Sequence, residues 1–172
     1  SVASSILATA ITVADNASGT IDIDYFGADV VDINTAHAVN SVVLSDGGSF
    51  SYTATTGNIA VTSVDTGSGA VTLDSVAGWL RTSDASDAAA NVTTNNATIN
   101  LEAALGIADS TGAAGFDIDS GGGAVNITGD GAGDVYVDYE SADADAVTLT
   151  LTDATSGNYL YDSRSTGILT VN

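Results

Sequence analysis

The chain has 172 residues and a formal charge of −20 at pH 7, which comes from 22 acidic residues against two arginines, Arg81 and Arg164, and no lysine. Nucleic acids and anionic membrane surfaces both require a basic face, so this charge makes them poor partners. The absence of cysteine excludes a disulfide framework and thiolate chemistry, and no run approaches the ~20 consecutive apolar residues of a membrane span.

Strands are predicted along most of the chain, because short alternating runs recur about every ten residues between clusters of Gly, Asn, Asp and Ser. Proline is absent and 19 glycines are present, which favours fully hydrogen-bonded strands joined by turns. Residues 84–114 are less regular, and two alanine-rich runs there are also compatible with short helices. The predicted strands are Ile6 to Val13, Thr20 to Asp24, Val30 to Ile33, Val42 to Leu44, Phe50 to Thr53, Ile59 to Thr62, Val71 to Asp74, Asn91 to Thr94, Thr98 to Leu101, Phe116 to Asp119, Ala124 to Thr128, Asp134 to Asp138, Val147 to Leu151, Asn158 to Tyr161 and Gly167 to Val171.

A long internal repeat organises these strands. Gly19 to Asp29, GTIDIDYFGAD, resembles Gly133 to Asp143, GDVYVDYESAD, and the likeness extends upstream, where Ala10 to Val13 matches Ala124 to Ile127. A looser likeness joins the later parts of the two copies, so the repeat relates residues 19–62 to residues 133–172. We therefore predict one all-β domain over residues 1–172.

Two architectures fit a repetitive all-β chain. A β-solenoid of short stacked strands accounts best for the repeat. The alternative is a β-sandwich in which the apolar strand Ile6 to Val13 completes the sheet of a neighbouring molecule by strand addition.

Three segments resemble the β-strand-repeat segments of giant bacterial surface adhesins related to filamentous haemagglutinins. They are GSGAVTLDSVAG (67–78), NVTTNNATINLEAALGIAD (91–109) and GDVYVDYESADADAVTLTLTD (133–153). The resemblance implies a right-handed β-helix, secretion to the cell surface and a role in adhesion or cohesion, with no catalytic residues to carry over. The aspartate bias and the lack of lysine depart from that family and resemble acidic, cysteine-free surface-layer and filament proteins.

Aspartate supplies 20 of the 22 acidic residues. Turns and calcium sites both favour this short side chain over glutamate, whereas a solvated acidic surface can use either. Stacked turns would bring carboxylates together, so we predict calcium as a counterion; adaptation to salt is the alternative. The predicted ligands are Asp22, Asp24, Asp29 and Asp32 in one copy of the repeat, and Asp134, Asp138, Asp143 and Asp145 in the other.

Four Asn-x-Ser/Thr sequons are candidate glycosylation sites on exposed turns. Chance also explains them in a chain rich in Ser, Thr and Asn. They begin at Asn16, Asn91, Asn96 and Asn126.

Catalysis has weak support. His37 is the sole histidine, and Ser41 and Asp32 near it are common residue types in this composition. The pairs Asp22/Asp24 and Asp117/Asp119 place two carboxylates on one strand face, as in polysaccharide-degrading β-helix enzymes, but two arginines are little positive charge for such a site. Trp79 beside Arg81 suits sugar stacking or simple burial.

We therefore predict a non-enzymatic, extracellular structural protein of the cell surface, without a bound organic cofactor. Adhesion is the first expected role, with surface glycans as the partner. The alternative is a self-assembling filament or surface-layer subunit whose copies join end to end or by strand addition, and a polysaccharide-degrading enzyme is the remote alternative.

Overall fold

A computed structural model gives the fold. It describes the backbone of residues 2–3, 10–13, 20–25, 30–33, 38–44, 48–54, 57–82, 89–108, 115–129, 131, 133–140, 147–153, 157–163 and 167–171, and side chains for most of these residues from 48 onward. The strands are β1 (Val2–Ala3), β2 (Ala10–Val13), β3 (Thr20–Tyr25), β4 (Val30–Ile33), β5 (Ala38–Leu44), β6 (Phe50–Ala54), β7 (Ile59–Val61), β8 (Val64–Asp65), β9 (Val71–Ser75), β10 (Trp79–Thr82), β11 (Val92–Thr93), β12 (Ile99–Ala103), β13 (Gly106–Ala108), β14 (Phe116–Asp119), β15 (Val125–Gly129), β16 (Val135–Tyr139), β17 (Val147–Asp153), β18 (Tyr159–Ser163) and β19 (Leu169–Val171).

The strands form two parallel sheets that the chain visits in alternation. An eight-stranded sheet has the order β2-β4-β6-β9-β12-β15-β17-β19, and the remaining strands form an eleven-stranded sheet. Every pairing between the described strands is parallel, so each strand lies beside one from the next turn. This is a β-solenoid, as the repeat predicts. The β-sandwich alternative is wrong, because sandwiches are built from antiparallel sheets.

The length of a turn varies along the solenoid. Stacked partners are 21 residues apart at Ser49 and Ala70, 28 apart at Thr72 and Asn100, and 26 apart at Asn100 and Asn126. The two longer turns have their extra residues between β10 and β11 and between β13 and β14, at the strand position that β7 and β8 occupy in the shorter turn. The solenoid therefore accepts extra residues at one place in its turn while the stacking continues.

The core lies between the two sheets and follows the alternation of each strand. β6, β9, β12, β15 and β16 share one pattern, in which the first, third and fifth residues are buried. The largest fully buried side chains are aromatic, namely Tyr52, Tyr139, Phe50 and Phe116. Because full burial of one large apolar side chain is worth roughly 1.5–3 kcal/mol, this core is the main source of stability.

The two copies of the repeat place their first strands in the same sheets, but their later strands in different sheets. β2 and β15 both belong to the eight-stranded sheet, and β3 and β16 both belong to the eleven-stranded sheet. The later parts differ, since β7 lies in the eleven-stranded sheet and β19 in the eight-stranded one.

Candidate functional site

The predicted calcium ligands are distributed over both sheets. Asp22 and Asp24 lie in β3 of the eleven-stranded sheet, whereas Asp32 lies in β4 of the eight-stranded sheet. Asp138 lies in β16, and Asp134 directly precedes it. Three others are outside the described residues: Asp29, Asp143 and Asp145.

Asp134 uses its carboxylate to hold the neighbouring turn. Oδ1 accepts hydrogen bonds from the backbone N–H and the side-chain amide of Asn158, each at 3.0 Å. Oδ2 accepts one from the Tyr136 hydroxyl at 3.0 Å. The bond from the Asn158 backbone, followed by that from Tyr136, holds the pKa of Asp134 below its usual value, and the same contact raises the pKa of Tyr136. This aspartate therefore acts as a connection between two turns.

Asp138 lies in the middle of a ladder of three carboxylates. It is in register with Asp117 on one side and Asp162 on the other. Asp117 is only 3% exposed, Asp138 is half-buried, and Asp162 is exposed. The Asp138 carboxylate lies directly over Gly115, where a Cβ atom would come within 2.2 Å of Asp138 Cγ. A side chain at position 115 would therefore displace this carboxylate.

The ladder distinguishes the two copies of the repeat. Asp24 is the sequence equivalent of Asp138, but its register partners are Ala3 and Val43. Like charges on neighbouring strands repel one another by about 1 kcal/mol at 4 Å in water and more near a protein surface. The reason to expect a counterion is therefore stronger at Asp138 than at Asp24. Within the described part of the chain, no three His, Cys, Asp or Glu side chains are arranged to hold a metal ion, and calcium stays a prediction.

Other aspartates shape turns. The Oδ1 atom of Asp65 accepts a hydrogen bond from Gly67 N at 3.0 Å, and that of Asp119 accepts one from Gly121 N at 2.9 Å. Both glycines have φ of 56°, a left-handed conformation that residues with a side chain rarely adopt. Part of the aspartate bias therefore reflects Asx turns, in which the short side chain bonds the backbone two residues on.

A column of buried hydroxyl groups runs beneath these turns. Thr66 Oγ1 donates to Gly69 O at 2.6 Å, Thr94 Oγ1 to Ala97 O at 3.1 Å, and Ser120 Oγ to Gly123 O at 2.8 Å. In each bond the donor and the acceptor are three residues apart in the sequence, and the three donors belong to successive turns. We name this set the hydroxyl column: Thr66, Thr94 and Ser120.

Sequence reasoning missed the hydroxyl column. Its signal is present in the printed sequence as a Ser or Thr directly after the last strand residue, at DTGSG, TTNNA and DSGGG (residues 65–69, 93–97 and 119–123). These three segments differ in composition, so their equivalence becomes evident only once the strand register is known.

The outer face of the eight-stranded sheet carries a ladder of amides and hydroxyls. Asn126 Nδ2 donates to Asn100 Oδ1 at 2.8 Å, and Asn100 Nδ2 donates to Thr72 Oγ1 at 3.1 Å. Ser51 and Thr150 occupy the same row on either side. We name this row the amide ladder: Ser51, Thr72, Asn100, Asn126 and Thr150.

The predicted sequons have different environments. Asn96 is exposed in a turn and has φ of 61°. Asn91 is 4% exposed, and its Nδ2 donates to Thr62 O at 2.9 Å. Asn126 is half-buried in the amide ladder, and Asn16 is outside the described residues. The expected exposure is wrong for Asn91, since a buried, hydrogen-bonded amide is inaccessible for glycosylation.

Of the residues considered for catalysis, the structure describes the surroundings of Asp117, Asp119 and Trp79. Asp117 is almost fully buried, while the carboxylate of Asp119 accepts a hydrogen bond within its Asx turn. His37 is outside the described residues. The Arg81 guanidinium carbon lies 4.5 Å from the centre of the Trp79 ring, and that ring covers Gly106, where a Cβ would meet it at 2.3 Å. Trp79 thus already packs against protein groups.

An apolar cleft lies at one end of the described solenoid. It has a volume of about 170 Å³ and is lined by Ile127, Val135, Leu149, Leu151, Tyr159, Leu160, Tyr161 and Val171. Burial raises the pKa of Tyr161 above its usual range. Val171 and Leu160 are 56% and 57% exposed. This cleft was not predicted from the sequence.

Comparisons with protein families, with curated proteins and with solved structures find no match to this chain. Among the described residues, no helix is long and apolar enough to cross a membrane.

Proposed function

We propose that this chain is a non-enzymatic structural protein of the cell surface, in which the solenoid forms a rod-like segment for adhesion. The proposal is carried by the in-register stacking of the turns, with apolar residues inside and ladders of Thr, Asn and Asp outside. In a solenoid, each turn contacts only its neighbours, so the fold extends along one axis and repeats the same kind of surface.

Surface glycans are the partner that this outer face suits. The amide ladder offers neutral hydrogen-bonding groups in a row, with Asn100 at its centre. Amides and hydroxyls both donate and accept hydrogen bonds, as sugar hydroxyls do. The high negative charge of the chain favours neutral glycans over acidic ones.

Co-sedimentation with insoluble neutral polysaccharides tests adhesion. We expect binding that is weakened by Asn100→Ala and retained by Tyr136→Ala, a change on the outer face of the other sheet. Equal binding by all three proteins would contradict the amide ladder as the contact surface.

The non-enzymatic part of the proposal is tested with soluble neutral and acidic polysaccharides as substrates. We expect no release of reducing or unsaturated ends. Turnover that disappears in Asp119→Asn and survives in Asp65→Asn, the equivalent turn position two strands away, would show that the remote alternative is correct.

A second candidate function is that of a self-assembling filament or surface-layer subunit. The apolar cleft and the exposed Val171 favour it, because such surface is normally covered by a further layer of protein. Negative-stain microscopy of the purified chain distinguishes the candidates, since an adhesive segment remains a short rod and a subunit forms long polymers.

A further inference from the structure

Two polar residues on the outer face of the eleven-stranded sheet are almost fully buried. Asn91 directly precedes β11, and Asp117 is its counterpart in β14, because Val92 pairs with Ile118. The backbone N–H of Asn91 donates to Asp117 O at 2.8 Å. Val92 and Ile118 belong to the core, so alternation places Asn91 and Asp117 on the opposite face. They are nevertheless only 4% and 3% exposed, so an amide and a carboxylate occupy neighbouring positions of consecutive turns with little access to water.

The side-chain amide of Asn91 makes a hydrogen bond through only one of its two polar atoms. Its Nδ2 donates to Thr62 O in the preceding turn at 2.9 Å. Its buried Oδ1 accepts no hydrogen bond within the part of the chain that the structure describes. A buried acceptor that has lost water without gaining a donor is costly, and such an atom in a folded protein indicates a partner that the chain itself does not supply.

The orientation of this amide directs its oxygen toward Asp117. The nitrogen and oxygen of an amide lie on opposite edges of one plane, so an Asn91 side chain that donates to the preceding turn has its Oδ1 facing the following turn. The amide ladder shows the same arrangement, since Asn100 Nδ2 donates to Thr72 of the preceding turn and Asn100 Oδ1 accepts from Asn126 of the following turn. An ionised carboxylate donates no hydrogen bond, so Asp117 in that state cannot satisfy the amide oxygen.

A second carboxylate leans toward the strand that carries Asp117. Asp138 in β16 is the register partner of Asp117. Its carboxylate lies over Gly115, two residues before Asp117, where a Cβ would come within 2.2 Å of Asp138 Cγ. The Asp138 side chain is therefore directed toward β14 and away from β18. Three consecutive turns thus present an amide oxygen and two carboxylates on the same part of the outer face.

We propose that Asn91 Oδ1 and the carboxylate of Asp117 bind a calcium ion between the two turns, with Asp138 supplying the second negative charge. Calcium binds carboxylate and amide oxygens at about 2.3–2.6 Å, so two oxygens on opposite sides of it are roughly 4.6–5.2 Å apart. This separation matches the ~4.8 Å between neighbouring strands. Of the three residues, the sequence predicted only Asp138 as a ligand. The site is independent of the proposed adhesive role, and its two carboxylates and one amide are not one of the groups of three acidic, His or Cys side chains considered above.

Equilibrium dialysis of the purified chain against radioactive calcium tests binding directly. With excess magnesium present to occupy the other carboxylates, the wild-type chain should bind about one calcium ion, with a dissociation constant of roughly 10⁻⁴–10⁻³ M. Asp117→Asn should lose this binding. Asp162→Asn removes the same charge from the exposed end of the same register row, so it is the matched control and should retain the binding.

Asn91→Asp tests the amide oxygen. The variant keeps an oxygen at this position and adds a negative charge, so it should lower the calcium dissociation constant by about tenfold, because affinity rises with the charge of the ligands. In chelator it should melt at a lower temperature than wild type, since two carboxylates then face each other without a counterion. An asparagine with a purely structural role would show the lower melting temperature without tighter binding. Circular dichroism checks that the variant is folded, and Asp117→Asn tests the site without it.

Four results would overturn the site. Calcium binding by the wild-type chain that does not saturate, or an equal loss in Asp117→Asn and Asp162→Asn, would indicate diffuse counterions. Unchanged affinity in folded Asn91→Asp would remove the amide from the ligands. A wild-type melting temperature that ignores calcium and falls from about pH 5 to pH 8 would show that Asn91 and Asp117 share a proton instead, which is lost as the pH rises. The adhesive role is judged separately, by polysaccharide binding, so the two proposals can fail independently.

Discussion

Two valines at the same register position of the eight-stranded sheet have different environments. Val71 and Val171 both belong to the row that passes through Ile99, Val125 and Leu149. Val71 is fully buried, whereas Val171 is 56% exposed. β9 has a partner strand on each side, while β19 has one among the strands described. Burial in this fold is therefore determined by the presence of a neighbouring turn, for the same residue type at the same register position.

The carboxylate ladder follows the same gradient. Exposure rises from Asp117 on β14, which is paired on both sides, through Asp138 to Asp162 on β18 at the sheet edge. A charge is more costly where water is excluded, so the strongest electrostatic effects belong to the inner members of the ladder. The difference in exposure between the middle turns and the edge therefore applies to charged residues as well as to apolar ones.

Removing a core side chain from a middle turn should give the largest effect. Leu101 is buried between β9 and β15, and truncation of a buried leucine to alanine typically destabilises by about 2–5 kcal/mol. Val171→Ala removes mostly exposed surface and should change the free energy of unfolding by less than about 0.5 kcal/mol in the monomer. Urea unfolding at low salt measures both, and similar losses would contradict the comparison.

Removing a member of the hydroxyl column should have the next largest effect. Ser120 Oγ lies 2.8 Å from Gly123 O and 3.2 Å from Tyr139 Oη. Ser120→Ala leaves these buried groups without that partner, which costs about 1–3 kcal/mol. Thr148→Ala, at an exposed position near the edge, is the matched control.

A double-mutant cycle with Tyr139→Phe tests whether the two hydroxyls act together. Residues that share a hydrogen bond couple by roughly 0.5–3 kcal/mol, whereas independent sites are additive. Additive losses would show that the contact between Ser120 and Tyr139 contributes nothing of its own.

The all-strand solenoid could be predicted from the sequence because its signals are local or repetitive. Alternation located most strands, and β-branched composition located β11 and β12 in the irregular middle region. The likeness of Gly19 to Asp29 and Gly133 to Asp143 indicated stacking. Four strands lay outside the prediction: β1, β8, β10 and β13. They have two to four residues each, which is too short for alternation to be evident, and their pairing comes from neighbouring turns.

The surface features could be predicted only in part, because they depend on which residues stack. The sequence correctly indicated that aspartate shapes turns, as Asp65 and Asp119 do. It suggested equivalent environments for Asp24 and Asp138, although only Asp138 has aspartate on both neighbouring strands. Turn lengths change along this chain, so register partners cannot be counted from a fixed period.

Calcium should stabilise the chain more through Asp138 than through Asp24. We expect about millimolar calcium, at constant ionic strength, to raise the melting temperature of the wild-type chain. Asp138→Asn should reduce that rise, and Asp24→Asn should reduce it less. Relief of about 1 kcal/mol corresponds to roughly 2–4 °C for a chain of this size.

The calcium measurement needs controls for charge screening. Monovalent salt also weakens repulsion between carboxylates, but it acts over a much higher concentration range. Matched magnesium and a chelator complete the series. Identical melting curves in all conditions would remove the predicted calcium sites and favour adaptation to salt.

The smallest effect is expected from pH at Asp134, near the edge. Its pKa is lowered in the folded chain, chiefly by the hydrogen bond from the backbone of Asn158. A lowered folded pKa means that the ionised carboxylate contributes stability above the unfolded value of ~3.9, and that this contribution is lost as the pH falls through the folded pKa.

Asp134→Asn keeps an oxygen that can accept from Asn158 but carries no charge, so it should be slightly less stable than wild type near neutral pH. The difference should stay constant down to about pH 5, begin to shrink near the unfolded pKa of about 3.9, and close once the pH falls below the lowered pKa of the folded carboxylate. In a Tyr136→Phe background the difference that Asp134→Asn makes should be smaller, because the hydroxyl of Tyr136 is the second hydrogen-bond donor that lowers the pKa of Asp134. Thermal unfolding from pH 2.5 to 7 measures wild type, the two single variants and the double variant. A difference between wild type and Asp134→Asn that persists unchanged at pH 2.5 would show that the two side chains differ in packing, and that the charge on Asp134 does not stabilise this turn.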